Sequence, residues 1–141
     1  MKTEVMDEVV SHAMFEEGFS AEIYLDHLGN RTIGYGTNLE EGISETEAEY
    51  LLRHRLMVVW DEFINKFGSD FAGSLPDSIQ AVMLDLAYNM GLPRLTQFER
   101  MFTALRGANY SAAADELLDS RYAEQVPNRA VRNANKMRAA V

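Results

Sequence analysis

The 141 residues contain no cysteine, so disulfides, thiolate catalysis and thiolate metal sites are excluded together. Stability must come from packing alone. No apolar run approaches the roughly eighteen residues a bilayer crossing needs, so neither a spanning helix nor stable membrane association is expected. Positive charge is scarce: 13 Lys and Arg stand against 22 Asp and Glu, a net charge of −9. The deficit is uneven. Residues 1–93 hold five cations and seventeen acids, whereas residues 94–141 hold eight and five. So acidic a balance argues against nucleic acid as the partner, because that binding runs through Lys and Arg to phosphate. An export signal is not expected either, since Glu4, Asp7, Glu8, Glu16 and Glu17 crowd the first seventeen residues. The expected place of synthesis and storage is the cytosol. Internal repeats, low-complexity tracts and a proline-rich linker are missing too.

With 47% hydrophobic and 25% charged residues, the composition is that of a globular domain with one core. Val5, Met6, Val9, Val10, Ala13 and Met14 recur at helical spacing until Gly18 stops them. Ile23–Leu25 and Arg31–Tyr35 are short β-prone runs around Leu28-Gly29-Asn30, which predicts a hairpin. Ser44 followed by Glu47 has the form of a capping box, opening a long helix from Glu45 to about Phe67. Phe67–Ser74 reads as a loop. Pro76 then begins a helix ending at Met90 and Gly91, and Ile79, Val82, Met83, Leu86, Ala87 and Met90 make it central and buried. Helices at about 94–106, 111–118 and 128–139 follow, with Ser111 and Asn128 as cap candidates. The fold class is α+β: a small N-terminal lobe with a β-hairpin and a larger helical C-terminal lobe, joined by a long helix. One domain over 1–141 is expected, with the β-bearing lobe at about 14–50 and the helical lobe at about 1–13 and 65–141.

Glycosidic bonds are broken by two carboxyl groups, one protonated as the acid and the other ionised. Glu17, where a helix gives way to Gly18, and Asp26, at the start of the hairpin turn, form one such pair. Alone the pair decides little, because the chain has 22 acids and a glutamate at a helix end is more often structural.

The neighbouring residues narrow the choice. From Glu17 to Asn38 the chain reads EGFSAEIYLDHLGNRTIGYGTN. This resembles the active-site segment of the phage-type lysozymes: E-G, then D nine residues from the glutamate, T six further on, and I-G-x-G. Asn89-Met90-Gly91, Phe98, Ser120-Arg121-Tyr122 and Pro127-Asn128-Arg129-Ala130 extend the likeness in order over nearly the whole chain. The resemblance implies a lysozyme-like fold and a muramidase acting on bacterial peptidoglycan, without cofactor or metal. It implies Glu17 as general acid, Asp26 as the second carboxylate and Thr32 as the hydroxyl that helps hold the attacking water. Threonine in a hairpin strand is also simply a good β-former. Arg129 matches the arginine that orients the acid. Asn89 stands where the family has glutamine and Tyr122 where it has tryptophan; with Phe98 they are the candidate substrate contacts, and each position suits packing equally. Thr37 replaces a histidine found after I-G-x-G.

The two carboxyls would differ because their surroundings differ: apolar Phe15 and Phe19 beside Glu17 favour the protonated form, while a polar turn keeps Asp26 ionised. The family further implies inversion at the anomeric carbon; a monomer is expected, with a lytic role in which the enzyme leaves the host cytosol through a separate pore, because no export-directing segment is read in the chain. Two other readings use the same cleft: a glycan-binding module that does not cut, and a hydrolase for chitin or a deacetylated glycan. Rival motifs fail. Leu39 stands where a dinucleotide fingerprint needs its third glycine after Gly34 and Gly36, and His12, His27 and His54 lack metal-ligand spacing. Glu40–Glu49 is an acid run at a helix start, favoured by the helix dipole and unlike a calcium loop.

Overall fold

In the computed structural model, which describes residues 1–140, the Ser44–Glu47 pairing forms as a reciprocal cap. The Ser44 backbone N–H donates to Glu47 Oε1 at 3.1 Å, and the Glu47 N–H donates to Ser44 Oγ at 3.2 Å. It opens α2, Glu45–Phe67, along which the chain passes out of one compact unit, Met1–Tyr50, into a second that begins at Leu51. Among the described residues there are nine helices and one three-stranded antiparallel sheet. That is the α+β class expected.

The first unit holds α1 (Thr3–Glu17) and the strands β1 (Ser20–Leu25), β2 (Arg31–Gly34) and β3 (Thr37–Asn38), in the order β1-β2-β3. Gly18 ends α1 with its N–H on Met14 O. The β1–β2 turn forms at Leu28-Gly29-Asn30, where Gly29 takes a φ of 81° that an L side chain resists. The third strand went unrecognised in the sequence because it is only two residues long. Its register pairs Thr32 with Asn38, as β1 pairs Tyr24 with Thr32, so Thr32 lies on the central strand. Arg31 and Glu40 close the edge of the unit with a 2.8 Å ion pair, and a 3-10 turn at Leu39–Glu41 leads on.

The second unit carries the core. In α4 (Asp77–Met90), Ile79, Val82, Met83, Leu86 and Ala87 are buried, so the helix is central as its sequence predicts, while Met90 at its end is only half-buried. Around it come α3 (Ser69–Ser74), α5 (Leu92–Leu95), α6 (Glu99–Arg106), α7 (Tyr110–Leu118), α8 (Arg121–Gln125) and α9 (Pro127–Ala139). Phe63 of α2 is completely buried, stacked on Trp60 at 4.9 Å and packed on Phe67 at 4.6 Å, which anchors this end of α2 in the core. Burying a phenylalanine this way contributes about 1.5–3 kcal/mol.

Several expectations change. The stretch read as a loop contains α3, because Gly68 ends α2 and the Phe71 and Ala72 side chains then pack on the core. The helix expected at 94–106 is two, broken at Thr96–Phe98. Asn109, not Ser111, caps α7 by accepting from the Ala112 N–H at 3.1 Å. The last helix starts at Pro127 without a side-chain cap, so Asn128 lies inside its first turn. No helix among the described residues is long and apolar enough to cross a membrane.

Candidate active site

Asp26 sits where β1 becomes the turn, and the turn is folded around its carboxylate. Oδ1 accepts the backbone N–H groups of Leu28 at 2.9 Å and Asn30 at 2.8 Å, and the Asn30 side-chain amide donates to Oδ2 at 3.4 Å. Those donors act on the ionised form, the Asn30 N–H most of all, and hold the Asp26 carboxyl below its ordinary value against the opposing effect of burial. The group is therefore a carboxylate at neutral pH and has only acceptor capacity.

Thr32 is brought to Asp26 by one atom, the Asn30 carbonyl oxygen. It accepts the Thr32 hydroxyl proton at 2.9 Å and the Asp26 backbone N–H, also at 2.9 Å. Thr32 is only 2% exposed, so its hydroxyl is fixed. With the proton committed to Asn30, the Thr32 oxygen presents lone pairs, and a water beside it would donate to it.

Glu17 is the last residue of α1, and its carboxyl lies against Gly36 in the β2–β3 turn. The apolar enclosure expected from Phe15 and Phe19 is not built: both rings are largely exposed, and Phe19 instead packs on Tyr35 at 5.5 Å. The unit thus ties Asp26 to Thr32 through Asn30 and holds Glu17 at the neighbouring turn. Asn30, which the sequence marks as a turn residue, and Gly36, the last glycine of I-G-x-G, are thereby parts of the site.

The remaining candidates lie in the second unit. Asn89 is exposed on the last turn of α4. Phe98, half-buried at the start of α6, and Tyr122, only 2% exposed on α8, line a groove of about 430 Å³ with Arg94, Arg100 and Arg121. The Tyr122 ring lies under the Arg94 guanidinium, 5.9 Å from its centroid, and burial pushes its phenol pKa up. Its hydroxyl is buried with no hydrogen-bond partner among the described residues.

Arg129 of α9 is engaged by an acid that the sequence reading did not name. Its Nε donates to Asp85 Oδ2 at 3.0 Å and its Nη2 to Asp85 Oδ1 at 2.5 Å, while Asn133 Nδ2 adds a 2.8 Å bond to Oδ2. The Arg129 fork, then Asn133 and Lys136, hold Asp85 below the ordinary carboxylate range although burial opposes them. No group of three or more acids or histidines among the described residues is placed to hold a metal ion.

A family model, Phage lysozyme, matches residues 14–139, nearly the whole chain and every residue discussed above from Phe15 onward. The comparison with curated proteins finds no match.

Proposed function

We propose, because the chain belongs to the phage lysozyme family, that this muramidase cuts the β-1,4 bond between N-acetylmuramic acid and N-acetylglucosamine and does so with inversion. The family makes it a lysozyme acting on peptidoglycan; the bond, the stereochemistry and the residue roles are the proposal. The observation that supports those roles is the shared Asn30 carbonyl, which accepts both the backbone N–H of ionised Asp26 and the buried Thr32 hydroxyl.

In this reaction Glu17 delivers its proton to the glycosidic oxygen as the bond to the anomeric carbon breaks. Asp26 takes a proton from a water whose oxygen attacks that carbon from the opposite face, and Thr32 accepts a hydrogen bond from the O–H that the water keeps. One C–O bond is exchanged for another, and the proton lost by Glu17 is balanced by the one gained by Asp26. No cofactor takes part. Asn89, Phe98 and Tyr122 are proposed to contact the glycan, and Arg129 to belong to the machinery that orients the acid. The same proposal has a monomer made in the host cytosol that reaches the wall through a pore formed by another protein; fractionating cells before and after lysis tests that part.

Purified peptidoglycan cleared by the protein, with analysis of the new sugar ends, tests the bond. New reducing ends on muramic acid are expected, and ends on glucosamine would refute the assignment. Glu17→Gln should abolish clearing because an amide cannot protonate the leaving oxygen. Product anomers read in the first turnovers should be inverted; retention would exclude direct attack by water.

A further inference from the structure

We propose that Gly36 is a positioning residue for the general acid: the missing side chain at this position is what gives the Glu17 carboxyl its place. The inference rests on the reading of Glu17 as that acid. Gly36 lies in the turn between β2 and β3 with φ at 78°. A Cβ built there would stand 2.6 Å from Glu17 Oε2, 2.8 Å from its Cδ and 3.2 Å from its Cγ. Ordinary contact begins near 3.4 Å, so the carboxylate oxygen would have to retreat by about 0.8 Å.

The other glycines behave differently. Gly18, Gly29, Gly34, Gly42 and Gly68 also have positive φ, yet a Cβ at any of them would meet nothing within 4 Å. Their backbone conformation accounts for them. At Gly36 there is a second requirement, and the group that imposes it is the candidate acid. The clash falls on the free end of an exposed, flexible side chain, so it is relieved by rotation of Glu17 without disturbing α1. The change then costs folding only the strain that any side chain meets at this φ, while the acid leaves its position. A displacement near 1 Å from the productive geometry costs on the order of a hundredfold in rate.

Gly42→Ala is the matched control, since φ at Gly42 is 72° and its Cβ would be free. A second readout uses an aryl β-glycoside of the muramyl disaccharide with a dinitrophenol leaving group, which departs without protonation and has no need of the acid. For Gly36→Ala, kcat on peptidoglycan should fall at least about thirtyfold with KM within about threefold, while the aryl glycoside loses less than about threefold. Gly42→Ala should match the parent on both. The proposal is overturned if Gly36→Ala stays within about threefold on peptidoglycan, if both substrates lose equally, or if Gly42→Ala loses as much. Glu17→Gln retaining more than about a tenth of the activity would instead remove the acid assignment on which the proposal rests.

Discussion

Thr32→Val separates the chemical role of this hydroxyl from its structural one. Valine keeps the volume and the β-branching that suit the central strand and deletes only the oxygen. Thr32 is buried, and its proton goes to the Asn30 carbonyl, which also accepts the Asp26 N–H. That carbonyl therefore keeps a partner after the substitution. The structural loss is one net hydrogen bond, about 1 kcal/mol, with no buried acceptor left orphaned. For a chain of this size that lowers Tm by about 3–5 °C.

The catalytic loss should be larger. Two acceptors fix the attacking water in the proposed reaction, the Asp26 carboxylate and the Thr32 oxygen, and valine removes one of them. A water held at one point only is misplaced on the scale that costs about a hundredfold, equivalent to about 2.7 kcal/mol in the barrier. Calorimetry gives the first number and initial rates of reducing-end release give the second, with Thr32→Ser expected to hold both near the parent values. If Thr32→Val kept more than about a third of kcat, Thr32 would not hold the water. If it destabilised the fold by more than about 3 kcal/mol, the hydroxyl would be a structural group first and the rate loss would say nothing about the water.

Ionised Asp85 is favoured by folding, because its pKa lies below the unfolded value; its contribution is present above about pH 3.9 and disappears as pH falls through the lower folded value. Acid unfolding of Asp85→Asn should accordingly be shallower than that of the parent between about pH 4 and pH 2, from a lower starting stability at pH 7, and identical slopes would refute the pairing. Tyr122→Phe removes a buried hydroxyl that has no partner among the described residues, so it should raise stability by about 1 kcal/mol. A fall in Tm would show that the hydroxyl is satisfied in solution.

The features legible in the sequence are those whose signal and cause lie within a few residues. Ser44 and Glu47 are three residues apart and cap each other, so the start of α2 was readable to the residue. The buried face of α4 repeats along one helix, and the β1–β2 turn is made by consecutive residues. Helices α3 and α8 were missed for the same reason: at six and five residues they are too short to show a period, and the Gly-Ser-Asp composition around α3 reads as a loop. Within the site, the spacing of Glu17, Asp26 and Thr32 was readable. The atom that joins two of them was not, because a backbone carbonyl has no side-chain identity to betray it.

Asp85 shows how far a single sequence carries such an argument. It is the one charge in α4 beyond the first residue, set among Val82, Met83, Leu86 and Ala87, all buried. An ionised group half withdrawn from water on a helix this apolar requires a partner, since burial without one would neutralise it. That need is visible in the sequence. Which of the eight cations after residue 93 meets it is not, because the partner is 44 residues away. Only the folding of α9 onto α4 selects Arg129, and the choice is confirmed one helical turn later, where Asn133 reaches the same carboxylate oxygen. A lone acid on a buried helix face thus announces a distant hydrogen-bond fork, and the helical spacing of an Arg and an Asn four residues apart marks the segment able to supply it.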